Sequence, residues 1–228
     1  MSDLRCFLLK EMEQSGFLRR SHGGAAIQDH KNREVPFALR DRENNAAKDI
    51  IAKRAAALIE DGNTVFLDAS STVGHLTHYL EPGQNLTIIT NSIPVLEMLK
   101  GKNIRCYLTG GMVLENSHAL VGTLAENTIS SLYADIFFSS QGISEDGIIT
   151  DFSEDETRLR NCMIQNAKKS VFLYDHSKLG KNPCSGYVMQ MTCSKLLPIY
   201  SMKYLPDFFK IKTTCRNRSF YFGGTGQI

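Results

Sequence analysis

Between residues 46 and 175, short apolar runs alternate with longer segments whose apolar residues recur at helical spacing. Five of the runs have the length of β-strands, and they cover residues 64–68, 86–90, 104–109, 135–139 and 170–174. The periodic segments predict helices over residues 48–60, 72–80, 92–99, 119–131 and 155–168. In the first helix, the predicted buried face consists of Ile50, Ile51, Ala55, Leu58 and Ile59. Strands that are apolar on both faces and alternate with helices predict an α/β fold, with a largely parallel sheet flanked by helices.

The first 45 residues follow a different pattern. An apolar stripe predicts a helix over residues 4–15, and Gly16 can end it. Residues 17–20 can form a short strand before a flexible segment at 22–24. Residues 28–45 are charged and contain Pro36, which favours a linker or an arm wrapped over the next domain.

Composition limits the class of protein. A chain of 228 residues can bury one full core and carry a small appendage. Its net charge of +2 is not the excess expected of a dedicated nucleic-acid binder. No apolar run reaches about eighteen residues and charges interrupt the N-terminal run, so neither a membrane span nor a secretory signal is expected. The six cysteines are scattered, which favours a cytoplasmic protein with reduced thiols and without a metal or another cofactor.

The candidate binding residues follow the predicted strands. Ligands of open parallel sheets bind outside the carboxyl ends of the strands. The first strand leads into Asp68, Ser70, Ser71 and Thr72, where backbone N–H groups and hydroxyls can hold an anion and the carboxylate can accept from a sugar hydroxyl. The second leads into Thr90, Asn91 and Ser92, and the third into Gly110 and Gly111. Helix capping or a tight turn explains each group alone, but three groups at one edge favour a site.

The last predicted strand leads into Asp175 and Lys178, which can bind a sugar hydroxyl and a phosphate. The alternative is an exposed turn with an ion pair worth less than about 1 kcal/mol. His22, His75, His78 and His118 show no partner pattern and are predicted at the surface or in turns. The sequence contains no Walker loop, dinucleotide fingerprint or nucleophile elbow, which favours a protein that is not an enzyme.

An ordered set of motifs over residues 9–210 resembles the DeoR-type repressors. Residues 19–25 resemble the R-x-H-G-G-A signature that joins the winged helix to the effector domain in that family. Residues 68–72 match its D-A-G-S-T-T motif, with Ser70 in place of the glycine. The other matches follow in family order; they include Pro36-Phe37, Arg40, Lys48, Thr90-Asn91-Ser92, Gly110-Gly111, Glu156, Arg160 and Asp175-x-Ser177-Lys178.

The resemblance implies a sugar-phosphate sensor domain related in fold to ribose-5-phosphate isomerase, in which effector binding weakens DNA binding by a linked winged helix. It implies a cytoplasmic repressor of sugar metabolism that forms homo-oligomers and has a phosphorylated sugar and operator DNA as partners. The effector contacts expected by position are Asp68, Ser70, Ser71, Thr72, Thr90, Asn91, Ser92, Gly110, Gly111, Glu156, Arg160, Asp175 and Lys178.

We therefore expect a truncated winged helix-turn-helix remnant at 1–25, a linker at 26–45, the sensor domain at 46–209 and a divergent tail at 210–228 that can be disordered. The arginines of the family's recognition helix fall on Cys6 and Phe7. Candidate DNA contacts are then limited to Arg5, Arg19, Arg20 and His22, and operator binding is expected to be weak.

Two alternatives stay open. The chain can be an isomerase-like enzyme that acts on a phosphosugar with Asp68, Glu156 or Lys178 as acid and base. It can also be a subunit that modulates an intact paralogue. The R-x-H-G-G-A segment favours the regulator over the isomerase, because a free-standing isomerase has no use for such a linker.

Overall fold

The computed structural model describes residues 18–22, 24–27, 35–143 and 149–178, three short strands at 187–188, 195–198 and 219–220, and single helical positions at Cys6, Leu9, Lys10 and Glu13. Strands β1 (Leu18–Ser21) and β2 (Gly24–Ile27) form an antiparallel hairpin. Two helices follow, α1 (Phe37–Arg42) and α2 (Asn45–Ala56). None of the helices in the described segments is long and apolar enough to cross a membrane.

A parallel sheet forms the centre of the described structure. Its strands are β3 (Thr64–Leu67), β4 (Thr87–Thr90), β5 (Arg105–Leu108), β8 (Ala134–Ser139), β11 (Ala167–Tyr174), β13 (Lys195–Pro198) and β14 (Ser219–Phe220). They lie in the order β14-β13-β11-β8-β3-β4-β5, and every neighbouring pair is parallel. The chain therefore runs outward from β3 to β5 and then returns to β8 on the other side of β3. The crevice between β3 and β8 is the topological switch point, where ligands of such sheets bind.

Helices cover both faces of the sheet. They are α3 (Ser71–Leu76), which continues as a 3₁₀ turn at Thr77–Tyr79, α4 (Ile93–Leu99), α5 (Thr123–Ser130) and α6 (Glu154–Gln165). Because successive strand residues face opposite sides, Val65 and Leu67 pack with α2, α3 and α4, whereas Phe66 packs with α5 and α6. The predicted α/β fold with helices on both faces of a parallel sheet is confirmed.

Two small sheets complete the described structure. Strands β6 (Met112–Leu114) and β7 (Ala119–Val121) form a hairpin. Strand β10 (Ile149–Asp151) pairs with β9 (Gly142–Ile143) and with β12 (Tyr187–Val188). The sequence did not predict these strands, because each is two or three residues long and depends on partners elsewhere in the chain.

Several predicted element boundaries were wrong. The helix predicted over 119–131 begins only at Thr123, since 119–121 form β7. Residues 167–168, predicted as helix, begin β11. Gly24, predicted as flexible, lies in β2. The predicted linker at 26–45 contains α1, which buries Phe37 and Leu39, and Asn45, the first residue of α2.

Other corrections concern burial. Ile50 was predicted in the core, but its side chain is 48% exposed. Tyr107 is also exposed, because β5 is the outer strand of the described sheet at that side. In the predicted tail, Ser219–Phe220 forms strand β14 beside β13; the other residues of 210–228 lie outside the described part of the chain.

Candidate functional site

Asp68 lies at the switch point, directly after β3, and its side chain is buried. One carboxylate oxygen accepts from the Ser70 backbone N–H at 3.0 Å and from the Ser70 hydroxyl at 2.6 Å. The other accepts from the Ser139 hydroxyl at 2.5 Å and from Arg160 Nε at 3.0 Å. A carboxylate offers about four acceptor positions. Asp68 therefore ties β3 to β8 and α6, and an effector hydroxyl would have to displace one of these four bonds.

Arg160 links three buried carboxylates. Besides Asp68, its guanidinium donates to Asp151 from Nη1 and to Glu156 at 3.2 Å from Nη2. All four side chains are at most 6% exposed. Glu156 is positioned by the first turn of α6, where its backbone N–H donates to Ser153, the N-cap residue. The network fixes the N-terminal end of α6 against the sheet edge.

Lys178 lies across the crevice in the 3₁₀ turn His176–Lys178. Its ammonium donates to the backbone oxygen of Ser140 at 3.3 Å and to the Ser140 hydroxyl at 2.6 Å. Removal of the ammonium from water lowers the pKa of Lys178 to about 7, and the Arg40 guanidinium acts in the same direction. Asp175 is buried and accepts from the backbone N–H and hydroxyl of Ser177 at 2.7 and 2.5 Å. The alternative of an exposed turn with an ion pair is therefore wrong.

Two further cations approach this site from the helices before the sheet. The buried Lys48 of α2 donates from Nζ to the backbone oxygen of Arg40 in α1. Desolvation lowers the pKa of Lys48, while Asp41 and Asp175 oppose that shift. Arg40 itself donates from Nε to the Val35 carbonyl at 2.8 Å. The crevice is thus bordered by the guanidinium of Arg40 and by two amines, Lys48 and Lys178, whose pKa values are lowered by burial.

Two other predicted residues bring unpartnered polar atoms to the same edge. Thr72, in the first turn of α3, has its hydroxyl buried without a hydrogen bond. Asn91 follows β4, and its Nδ2 donates to the Leu120 carbonyl at 3.1 Å while its buried Oδ1 has no partner. Buried polar atoms are usually hydrogen-bonded, and these two exceptions lie at the same edge of the sheet.

The remaining polar residues after β4 stabilise the turn. Thr90 donates from its hydroxyl to the Leu67 carbonyl at 2.7 Å and accepts from the Ser92 N–H at 3.0 Å. Ser92 caps α4, since its hydroxyl accepts from the Val95 N–H at 3.2 Å. Ser70 and Ser71 are buried at the start of α3. Capping and turn bonds therefore account for the side chains of Thr90, Ser92 and Ser70.

Of the two glycines after β5, Gly111 allows a close approach of the backbone. Gly110 and Gly111 have φ angles of 73° and 115°. A Cβ at Gly111 would lie 2.4 Å from the Val121 carbonyl oxygen and 3.3 Å from the Ala125 Cβ. A Cβ at Gly110 would lie 3.6 Å from Leu124, which is ordinary contact. The conformation and the approach of β7 explain why residue 111 is glycine.

The structure describes only part of the candidate DNA contacts. Arg5 lies outside them, and Arg19 lies in β1. Arg20 donates from its backbone N–H and from Nε to Glu13 at 2.9 and 2.8 Å. His22 is exposed in the turn of the hairpin.

Sequence reasoning missed several residues that shape the site. Ser139 ends a predicted strand and Ser140 follows it, so inspection of the strand ends could have identified both residues. Asp151 could not, because its strand β10 has three residues and no periodic signal. The prediction for His75 was wrong: it is buried in α3, and its Nδ1 lies 2.8 Å from the Asp49 carboxylate.

The fold and the crevice together define an α/β domain with polar and cationic side chains at the carboxyl edge of its parallel sheet. A family model described as the DeoR C terminal sensor domain matches residues 43–191. The chain therefore belongs to the DeoR family of transcriptional regulators, which confirms the resemblance of its motifs.

Curated relatives carry regulator names. The chain is 37% identical over 174 residues to the HTH-type transcriptional regulator GolR of Listeria innocua, covering 75% of this chain and 68% of that protein. It is 33% identical over 184 residues to the lactose phosphotransferase system repressor of Staphylococcus aureus, covering 78% and 72%. These names confirm the expectation of a regulator rather than an enzyme.

Solved structures with a similar arrangement include both enzymes and a regulator. Ribose 5-phosphate isomerase A from Methanocaldococcus jannaschii matches with a TM-score of 0.44 and 18% identity, over 60% of this chain and 55% of that chain. A probable sor operon regulator from Shigella flexneri matches with a TM-score of 0.41 and 13% identity, over 58% and 75%.

Proposed function

We propose that this chain is a repressor-type regulator of sugar metabolism that senses a phosphorylated sugar in the crevice between β3 and β8. The observation that carries the proposal is the Lys178 ammonium, which lies at the switch point beside the neutral oxygens of Ser140. Its lowered pKa means that the charged form lacks full compensation there. A phosphate dianion would supply that compensation and restore the charge.

Two buried polar atoms without a hydrogen bond at the same edge of the sheet could bind the sugar phosphate. The Thr72 hydroxyl can donate to a phosphate or sugar oxygen, and Asn91 Oδ1 can accept from a sugar hydroxyl. Asp68 then acts by positioning Arg160 and the turn at Ser70 rather than by touching the sugar. The family membership and the name of the lactose phosphotransferase system repressor support this class of effector.

A thermal-shift screen of the purified chain against sugar phosphates and the matching free sugars tests the proposal. A ligand at a hundredfold excess over its Kd adds roughly 2.7 kcal/mol, which is about 5–10 °C for a chain of this size. We expect one phosphorylated sugar to give such a shift and its free sugar to give none. A panel without any shift on a folded protein would contradict the proposal.

An aldose–ketose assay with the sugar phosphate found in that screen addresses the isomerase alternative. We expect no conversion above the rate without protein, because the described carboxylates of the crevice are held in internal hydrogen bonds. Turnover that disappears in Lys178→Met would support the enzyme instead.

We also propose that residues 1–22 contribute weakly to operator recognition. Cys6 and Phe7 offer no charged or amide groups for base edges, where the family resemblance places arginines. A gel-shift titration with DNA from the region upstream of the gene is expected to show only weak, salt-sensitive binding. Nanomolar, sequence-specific binding would refute the proposal of weak operator recognition. Tighter binding after mixing with an intact paralogue would instead support the role of a modulating subunit.

A further inference from the structure

A second polar cluster lies on the helices before and after β3. It consists of Asp49 in α2, His75 in α3 and His78 in the adjoining 3₁₀ turn. One ligand atom from each of these residues lies within 4.8 Å of the others. His75 is 7% exposed, and its ring meets that of His78 edge to face, with centroids 5.6 Å apart.

Carboxylates lie on both sides of the His75 ring. Nδ1 is 2.8 Å from Asp49 Oδ1, and Nε2 is 3.9 Å from Asp41 Oδ1 in α1. A neutral imidazole carries one N–H, so it can donate to one carboxylate only, and the other nitrogen then turns its lone pair toward an anion. Asp41 Oδ1 is buried and has no hydrogen-bond partner. In the described structure, the Asp41 oxygen that faces His75 therefore has no hydrogen-bond donor.

We propose that Asp49, His75 and His78 form a site for a divalent transition metal of the zinc type. Two imidazole nitrogens and one carboxylate oxygen are a common ligand set for Zn²⁺, with further positions left for water. Tetrahedral coordination at zinc–ligand distances near 2.0 Å separates ligand atoms by about 3.3 Å. The exposed His78 side chain can reach that spacing by a change of rotamer.

Asp41 completes the site from outside the ligand sphere. Histidines that bind a metal almost always donate their other ring N–H to a carboxylate or a carbonyl. If Nδ1 of His75 binds the metal, its Nε2–H faces Asp41 Oδ1 at 3.9 Å, so a small approach of the two side chains would form the outer hydrogen bond. The metal then ties α2 to α3 directly, and α1 joins them through Asp41.

Titration of the metal-free chain with Zn²⁺ in a calorimeter tests the site. We expect one saturable equivalent per chain. Because His78 is exposed and the Asp49 side chain is 47% exposed, His78→Ala and Asp49→Asn should fold and should weaken binding by more than tenfold. His22→Ala, which changes an exposed histidine in the hairpin turn, serves as the control and should bind like the parent. Asp41→Asn should weaken binding by about tenfold or more, as for other outer-sphere carboxylates.

Cobalt substitution distinguishes this site from binding by cysteines. We expect visible d–d absorption on adding Co²⁺, without the intense near-ultraviolet band of thiolate-to-cobalt charge transfer. The thiolate band, binding that survives both His78→Ala and Asp49→Asn, or the absence of saturable binding would each overturn the proposal. The absence of saturable binding would mean that two carboxylates hold His75 without a metal.

Discussion

Asp68 joins three elements of the crevice through one buried carboxylate. The Asp68→Asn variant keeps the shape of the side chain but removes the negative charge beside Arg160. Its amide N–H also faces hydrogen-bond donors that the carboxylate oxygen had accepted from. Asp151 and Glu156 still compensate part of the guanidinium charge. We therefore expect the free energy of unfolding to fall by about 2–3 kcal/mol, measured by urea denaturation at pH 7.

An exposed ion pair in α6 provides the control for that variant. Glu154 and Arg158 form an i,i+4 pair with side chains 47% and 63% exposed. Water screens such a pair, so Glu154→Gln should leave the urea midpoint unchanged within error. Equal effects of Asp68→Asn and Glu154→Gln would show that the buried network contributes no more to stability than the exposed pair.

Lys178 should make effector affinity depend on pH. The charged groups facing it are Arg40, Lys48, Asp68 and Asp175. In the free protein its pKa is about 7, and a bound phosphate would raise that pKa. Above pH 7 binding must then take up a proton, so affinity falls as pH rises, by about tenfold between pH 7 and 8.5. Near pH 6 the phosphate monoester begins to lose its second charge. The affinity should therefore be highest between about pH 6 and 7, which calorimetric titrations with the sugar phosphate from the screen can measure.

Replacement of Lys178 separates binding from stability. Lys178→Met removes the ammonium that burial disfavours, so we expect an equal or higher Tm together with affinity at least about tenfold lower and little dependence on pH between 7 and 8.5. Lys100→Met changes a lysine 67% exposed and paired with Glu97, and it should retain the parent affinity. An unchanged pH profile in Lys178→Met would assign the titration to another group.

At the scale of elements, the β6–β7 hairpin depends on one glycine. Alanine at Gly111 would combine a φ of 115° with a Cβ 2.4 Å from the Val121 carbonyl oxygen, so β7 or the turn must shift. We expect Gly111→Ala to lower the free energy of unfolding by about 2–4 kcal/mol, measured by urea denaturation.

Gly101→Ala is the matched control, because its φ is 78° and no atom lies within 4 Å of the added Cβ. It should cost only about 1 kcal/mol, the conformational penalty of the left-handed region. A Gly111→Ala effect no larger than that of Gly101→Ala would mean that β7 adapts to the added methyl group without loss.

The sequence predicted the elements that carry their own periodic signal. Helices α2 to α6 and five strands of the parallel sheet were predicted within a few residues. The search for polar residues after the predicted strands also placed Asp68, Thr72 and Asn91 at the carboxyl edge, where the structure has them. Strand β7 was predicted as helix, because three apolar residues directly before a helix cannot be told apart from its first turn by periodicity. Its strand conformation depends on pairing with β6. Ile50 fits the helical stripe, yet tertiary packing leaves it outside the core.

The internal chemistry of the site was less accessible from sequence. Asp68 and Arg160 are 92 positions apart, and Asp68 and Ser139 are 71 apart. Motif order placed Asp68 and Arg160 on one rim, but only the folded chain shows that the carboxylate is saturated by internal donors. The same holds for His75, whose two carboxylate neighbours come from separate helices.

At the scale of the whole molecule, α1 connects the N-terminal hairpin side of the chain with the crevice. Arg40 of α1 and Lys178 are both cationic, and the guanidinium disfavours the charged form of the lysine. An anion bound at Lys178 would turn this repulsion into a shared attraction and hold α1 against the domain. Effector binding and the position of α1 should therefore be coupled.

We expect hydrogen exchange to report this coupling. Saturation with the sugar phosphate from the screen should slow exchange of the backbone amides of α1 about tenfold or more, because opening α1 then breaks the attraction to the anion. Helix α4, which is capped at its N-terminus by Ser92, serves as the internal reference, and its exchange rates should change little. Arg40→Gln should keep the overall fold but lose most of the added protection in α1. Equal protection of α1 in the parent and in Arg40→Gln would show that the effector acts on the N-terminal segment by another route.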